Sequence, residues 1–159
     1  MESIADRISN SSIPLIMGVI NCTPDSFYAG GRDSTLSGAL QTAERMIGEG
    51  ADILDVGGES SRPGSSYIDA EEEKKRVLPV IRGVRRISNI PVSVDTRKAE
   101  VAEEALNAGA DIINDISALE DDKRMAGLAA ERQVPVVLMH KKGDPLTMQK
   151  GPFYDDVVR

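Results

Sequence analysis

Along the 159 residues, short apolar runs alternate with longer segments whose apolar positions recur every three or four residues. The runs are Leu15-Ile16-Met17-Gly18-Val19-Ile20, Asp52-Ile53-Leu54-Asp55-Val56, Pro91-Val92-Ser93-Val94-Asp95, Asp111-Ile112-Ile113-Asn114-Asp115 and Val134-Pro135-Val136-Val137-Leu138-Met139. Each is short, largely apolar and without clean alternation, the pattern of a parallel strand covered on both faces. Between them, Leu36, Ala39, Leu40, Ala43, Met46 and Ile47 form an amphipathic stripe from Leu36 to Glu49, ended by Gly50. Asp69-Ala70-Glu71-Glu72 reads as a capped helix start, the carboxylate accepting from the first free amides, and that helix runs through Val84. A third helix spans about Lys98 to Ala108, closed by Gly109, and a fourth about Lys123 to Arg132.

One internal echo supports a repeated unit: Gly50-Ala51-Asp52-Ile53-Leu54-Asp55 parallels Gly109-Ala110-Asp111-Ile112-Ile113-Asn114. In both, glycine supplies a left-handed turn after a helix and a strand follows at once. Five βα units fit either an open doubly wound sheet or part of a (β/α)8 barrel. An open sheet gathers its ligand groups at one switch point, whereas a barrel aims groups from every strand end at one mouth. Here almost every strand exit carries polar chemistry: Asn21 to Phe27, Gly57 to Gly64, Asp95 to Lys98, Asn114 to Ser117 and Met139 to Gly143. That distribution favours an α/β (β/α)8 TIM barrel, of which about the first five βα units are present.

Composition narrows the function classes. Aromatics make up 3% of the chain and Trp is absent, so aliphatic packing must carry the core. The formal net charge of −7 argues against a nucleic-acid or anionic-membrane partner, because phosphate backbones need clustered Lys and Arg. The single Cys22 excludes an internal disulfide. No apolar run approaches the roughly 20 residues that span a bilayer, and a cytoplasmic location is expected.

The exits VINCTPDSFYAGG, DILDVGGESSRPGS, PVSVDT, DIINDIS and VVLMHKKGDPLTMQ, in this order, resemble the successive strand ends of dihydropteroate synthases. The likeness runs from about Ile16 to Asp156. It implies residues 1–159 to be the amino-terminal portion of a single pterin-binding barrel domain, the carboxy-terminal βα units absent. It implies a transferase of folate biosynthesis, and a sulfonamide target, that joins p-aminobenzoate to a hydroxymethyl-dihydropterin diphosphate. It further implies that Asp95, Asn114 and Met139 meet the pterin, and that Asn21 helps hold a Mg2+ bound to the diphosphate. Thr23, Phe27, Ser61 and Pro63 would line the p-aminobenzoate or diphosphate region. Asp25 would face the cation developing on the pterin methylene, with Arg62 as its catalytic companion. The full-length protein is expected as a homodimer, and the 159 residues alone as inactive, because a further Asp, a Lys and an Arg-His pair of the family lie beyond Arg159. The alternatives are a methyltetrahydrofolate-binding domain of a corrinoid methyltransferase and a non-catalytic module that binds pterin or protein.

Several residues also have plainer readings. Asp95 after a strand would serve as a helix cap, and Asn114 would satisfy local backbone. Glu71 to Arg76 reads as a solvated helix face, Arg97 and Lys98 as surface charges, and Gly57-Gly58 as an ordinary turn. His140 reads as a solvent-near or packing residue and Cys22 as a small filler.

Overall fold

The computed structural model describes residues 4–23, 31–60, 67–140, 153, 155 and 156, with backbone alone over 31–35. A short helix α1 (Ile4–Asn10) precedes five strands separated by four helices: β1 (Met17–Asn21), α2 (Gly31–Gly48), β2 (Ile53–Gly57), α3 (Ala70–Ile87), β3 (Val92–Asp95), α4 (Ala99–Ala108), β4 (Ile112–Asp115), α5 (Met125–Arg132) and β5 (Val136–Leu138). All strand pairs are parallel and the order across the sheet is β1-β2-β3-β4-β5. Sequential order with no reversal excludes the doubly wound alternative, whose strand order turns back at a switch point. The fold is the first five βα units of a (β/α)8 barrel.

One face of the sheet packs against the helices. Ile20, Leu54, Val56, Val92 and Val94 meet Ala39, Ala43, Val77, Val80, Ile81 and Val84 in the larger core, and Ile113 meets Ala99, Ala102, Met125 and Ala129 in a smaller one. Because side chains alternate along a strand, the other face carries Val19 and Asn21, Asp55 and Gly57, Ser93 and Asp95, Ile112 and Asn114, and Val137. This is the face that a closed barrel turns inward. Val19 is 50% exposed and Val137 41%, so the two flanking strands show apolar surface.

The helix-to-strand turns behave as the echo in the sequence indicates. Gly50 and Gly109 have φ of 98° and 112°, where a side chain would be strained. The aspartates after them do equivalent work: Asp52 accepts from the Ile16 amide at 2.9 Å and Asp111 from the Val92 amide at 2.8 Å. Each thus occupies the leading N–H of the neighbouring strand. Two boundaries differ from the sequence expectation. Helix α2 begins at Gly31, five residues before the apolar stripe at Leu36, because a stripe marks the buried face and not the helix start. Strand β5 is confined to Val136–Leu138, flanked by Pro135, which has no amide to give a ladder.

Candidate active site

The strand ends bring the expected residues into one row. Asn21 pairs in register with Gly57, Gly57 with Asp95, Asp95 with Asn114, and Asn114 with Val137. Residues from five different strands therefore lie side by side at the carboxyl rim of the sheet, where barrel enzymes place their chemistry. A second row lies one layer deeper, with Val19, Asp55, Ser93 and Ile112 in register. Met139 follows β5, half-buried, its amide directed to the Asp115 carbonyl at 3.4 Å. Thr23 is half-buried just after β1.

Asp95 is not a helix cap. The first amide of α4, Ala99 N–H, is taken by Asp122 at 3.0 Å, and Lys98 at the cap position makes no side-chain cap bond. The carboxylate of Asp95 instead faces the space left by Gly57, where an added Cβ would sit 3.4 Å from Asp95 Oδ2. Burial, and then the negative charges of Asp55, Glu73, Glu59 and Asp115, push the Asp95 carboxyl up to about 7. Such a group gains most from a neighbour that donates hydrogen bonds or carries positive charge. Nor does Asn114 serve local backbone: its Nδ2 donates to Asp55 Oδ2 at 3.1 Å, across 59 residues of sequence. Burial also pushes Asp55 up, opposed by the adjacent Ser93 hydroxyl and the Asn114 amide. The next residue, Asp115, is a structural carboxylate. It accepts from Ser117 N–H at 2.7 Å, Ser117 Oγ at 2.7 Å and Leu119 N–H at 2.9 Å, holding a turn in which Ala118 and Leu119 have positive φ.

Behind the row stands a group of charges that local sequence pattern assigns to the surface. Lys98, 7% exposed, donates to Glu59 Oε2 at 2.7 Å and to Glu73 Oε2 at 2.6 Å, and Glu73 is fully buried. Arg97 donates to Glu59 and, at 2.8 Å, to Asp121. Glu59 Oε2 also accepts from the Ile68 amide at 3.2 Å, and the Tyr67 ring covers both Arg97 and Lys98. Against the upward push of its burial, the hydrogen bonds from Lys98 and Arg97 hold the Glu59 carboxyl below its ordinary range. These contacts tie residues 59, 67 and 68 to the turn that carries Asp95. A cavity of about 10 Å3, the size of one water, separates the cluster from Asp95 and Thr96. Gly57 and Gly58 are likewise more than a turn: a Cβ at Gly58 would approach Val77 Cγ1 to 2.9 Å and the Glu73 carbonyl to 3.2 Å, so the chain lies flat on α3.

Cys22 is buried and its thiol pushed up to about 12 by that burial, which suits a filler. His140 is exposed. Asp25, Phe27, Ser61, Arg62 and Pro63 lie outside the described residues. Among the described residues, no group of three or more His, Cys, Asp or Glu side chains is arranged to hold a metal ion, and no helix is long and apolar enough to cross a membrane. Asn21, exposed at the rim, carries a neutral carboxamide oxygen of the kind a hard cation accepts as a ligand.

A rim that demands hydrogen-bond donors, on five sequential βα units, has relatives. Residues 17–159 match the pterin binding enzyme family. The chain belongs to this family. It is 52% identical over 128 residues to the dihydropteroate synthase of Bacillus subtilis, an alignment covering 80% of the chain and 45% of that protein. Among solved structures, it is similar to the dihydropteroate synthase of Clostridium difficile determined with pteroic acid: TM-score 0.83, 45% identity, 92% of the chain and 53% of that one. It is equally similar to the Xanthomonas albilineans dihydropteroate synthase with 4-aminobenzoic acid, with TM-score 0.83, 46% identity, and coverage of 92% of the chain and 51% of that one. The chain spans about half the length of the curated relatives it matches.

Proposed function

We propose that the chain is part of a dihydropteroate synthase, which condenses 6-hydroxymethyl-7,8-dihydropterin diphosphate with p-aminobenzoate to 7,8-dihydropteroate and pyrophosphate. The observation that carries this is the rim row: Asn21, Asp95 and Asn114 from three strands in one register, with Asp95 beside the Cβ-free Gly57 and surrounded by negative charge. A pterin offers an amino group and ring N–H groups to such a carboxylate, and both donors and acceptors to a carboxamide. Met139 packs beside the ring.

The reaction forms a bond from the arylamine nitrogen to the pterin methylene carbon, breaks the carbon–oxygen bond to the diphosphate, and releases a proton from the nitrogen. Positive charge grows on the methylene and ring as the diphosphate leaves. A carboxylate fixed nearby stabilises that state more than the ground state, and this is the role of Asp25. Arg62 and Ser61 meet the diphosphate or the second substrate, and Thr23, Phe27 and Pro63 complete the p-aminobenzoate region. Asn21 would supply one oxygen ligand to a Mg2+ held together with the diphosphate, and that ion would neutralise phosphate charge. On the same reading the protein is cytoplasmic and, at full length, a homodimer.

The test is an assay of the full-length gene product with both substrates and Mg2+, with a sulfonamide titrated against p-aminobenzoate. Formation of dihydropteroate, inhibited competitively by the sulfonamide, is the expected result. Pterin binding without any product would leave a pterin-binding protein and remove the synthase.

A further inference from the structure

One carboxylate in the site has no part in that chemistry. Asp55, 4% exposed, lies on the inner face of β2 in the deeper row, directly below Gly57. Its Oδ2 accepts from Asn114 Nδ2 at 3.1 Å. Its Oδ1 and the hydroxyl of its register partner Ser93 are both buried, side by side across the β2–β3 pair. An ionised carboxylate only accepts, whereas a primary carboxamide has a donor end and an acceptor end of almost equal size. Packing alone therefore leaves the Asn114 amide free to turn over. A carboxylate beneath it does not, because the turned-over amide would set oxygen against oxygen in a buried site.

We infer that Asp55 is a positioning residue that fixes the orientation of the Asn114 carboxamide, and so determines which edge of a donor-rich heterocycle the rim accepts. With Nδ2 committed to Asp55, the amide presents Oδ1 and its second N–H to the mouth in one order. The carboxylate of Asp95, its register neighbour, completes a fixed acceptor and donor sequence across β3 and β4. The ligand edge selected is one that places an N–H opposite Asp95 and a donor and acceptor pair opposite Asn114. Asp55 Oδ1 and the Ser93 hydroxyl, both buried, add a polar floor to that site. This inference rests on the reading in which Asn114 meets a pterin.

The signal was present in the sequence. Asp55 and Ser93 are the polar positions inside two otherwise apolar strand runs, and both sit two residues before a rim residue, on the same face of their strands. A polar residue in the buried interior of a strand needs a partner.

The test uses the full-length gene product and titrates 6-hydroxymethyl-7,8-dihydropterin diphosphate by calorimetry. In Asp55→Asn, the new amide can donate to Asn114 Oδ1 and stabilise the turned-over orientation. Pterin affinity is expected to fall by about 10- to 100-fold, while the KM for p-aminobenzoate stays within about twofold. A second protein carries Asp55→Asn together with Asn114→Asp, which restores one N–H to carboxylate bond with the donor on the opposite side. Its melting temperature should return towards that of the parent while pterin affinity remains low, because position 114 then offers the ring only acceptors. Recovery of affinity in this exchanged pair would reduce the bond to a structural one and overturn the inference. So would Asp55→Asn binding within about twofold of the parent. A parent protein that binds no pterin would remove the underlying reading and this inference with it. Should Asp55→Asn fail to fold, the parent still decides the matter by NMR. One Asn114 side-chain amide proton, shifted downfield and slow to exchange, is expected before ligand is added; two freely exchanging protons would overturn the assignment.

Discussion

At the scale of single residues, Asp95 shows how a site can oppose the stability of its own fold. Its carboxyl is held near 7 by burial and by four neighbouring acids, so the folded, ligand-free chain keeps a proton that the unfolded chain has lost from about pH 4 upward. Unfolding then releases that proton. Stability attributable to Asp95 falls as pH rises from about 4 to about 7, and the full cost is present above 7. Asp95→Asn is therefore expected to stabilise the ligand-free protein at pH 8, by up to about 4 kcal/mol, read from denaturant unfolding of parent and variant. An unchanged or lowered midpoint would mean that Asp95 is compensated by groups other than those described. Binding has the opposite sign. If, as proposed, a pterin donates to the ionised carboxylate, affinity should rise as pH increases to about 7 and level off above it, falling towards tenfold per pH unit below. A flat profile in the parent between pH 5 and 8 would exclude Asp95 as the acceptor.

At the scale of elements, the alternation of strand and helix and the glycine-closed helix ends were legible in the sequence because they depend on local periodicity and on φ > 0. So was the placement of Asp95 and Asn114 side by side at the strand ends, which the strand-exit positions marked. The charges around Lys98 were not. Glu73 sits in the run Glu71 to Arg76 that reads as solvated, yet it and Glu59 reach Lys98 across 25 and 39 residues, and no local pattern reports a pairing at that distance. The cluster fastens α3 and the ends of the β2–α3 connection to the turn after β3. Removing one partner leaves a charge in a poorly solvated place, at a cost of about 2–3 kcal/mol. Lys98→Met in the full-length protein should lower the melting temperature by roughly 5–10 °C, since Glu59 and Glu73 then face each other without it. A melting temperature unchanged to within a degree would return Lys98 to the surface charges that sequence alone suggested. The aspartates Asp52 and Asp111 teach the complementary lesson: the repeat was visible, but its use, occupying the first amide of the adjacent strand, emerged only from the paired geometry.

At the scale of the whole molecule, five parallel strands in sequential order leave the inner face of the sheet unenclosed by the described residues. Val19, Val137 and Leu138 are 50%, 41% and 52% exposed, and among the described residues β1 and β5 each pair on one side only. Parallel sheets are stable when both faces are covered, and bare edges recruit other chains. The 159 residues produced by themselves should therefore associate at tens of micromolar and form no dihydropteroate. Sedimentation velocity showing a single monomeric species at that concentration, or turnover by the isolated chain, would contradict this. The central claim, however, concerns the rim row, and one titration addresses it most directly: 6-hydroxymethyl-7,8-dihydropterin diphosphate into the full-length protein and into its Asp95→Asn variant, at pH 8. An amide there exchanges an acceptor for an unwanted donor, a loss of about 1.5–3 kcal/mol. The account predicts saturable heat in the parent and affinity roughly 10- to 150-fold weaker in the variant. Equal affinity in the two folded proteins, or no binding in the parent, would contradict it.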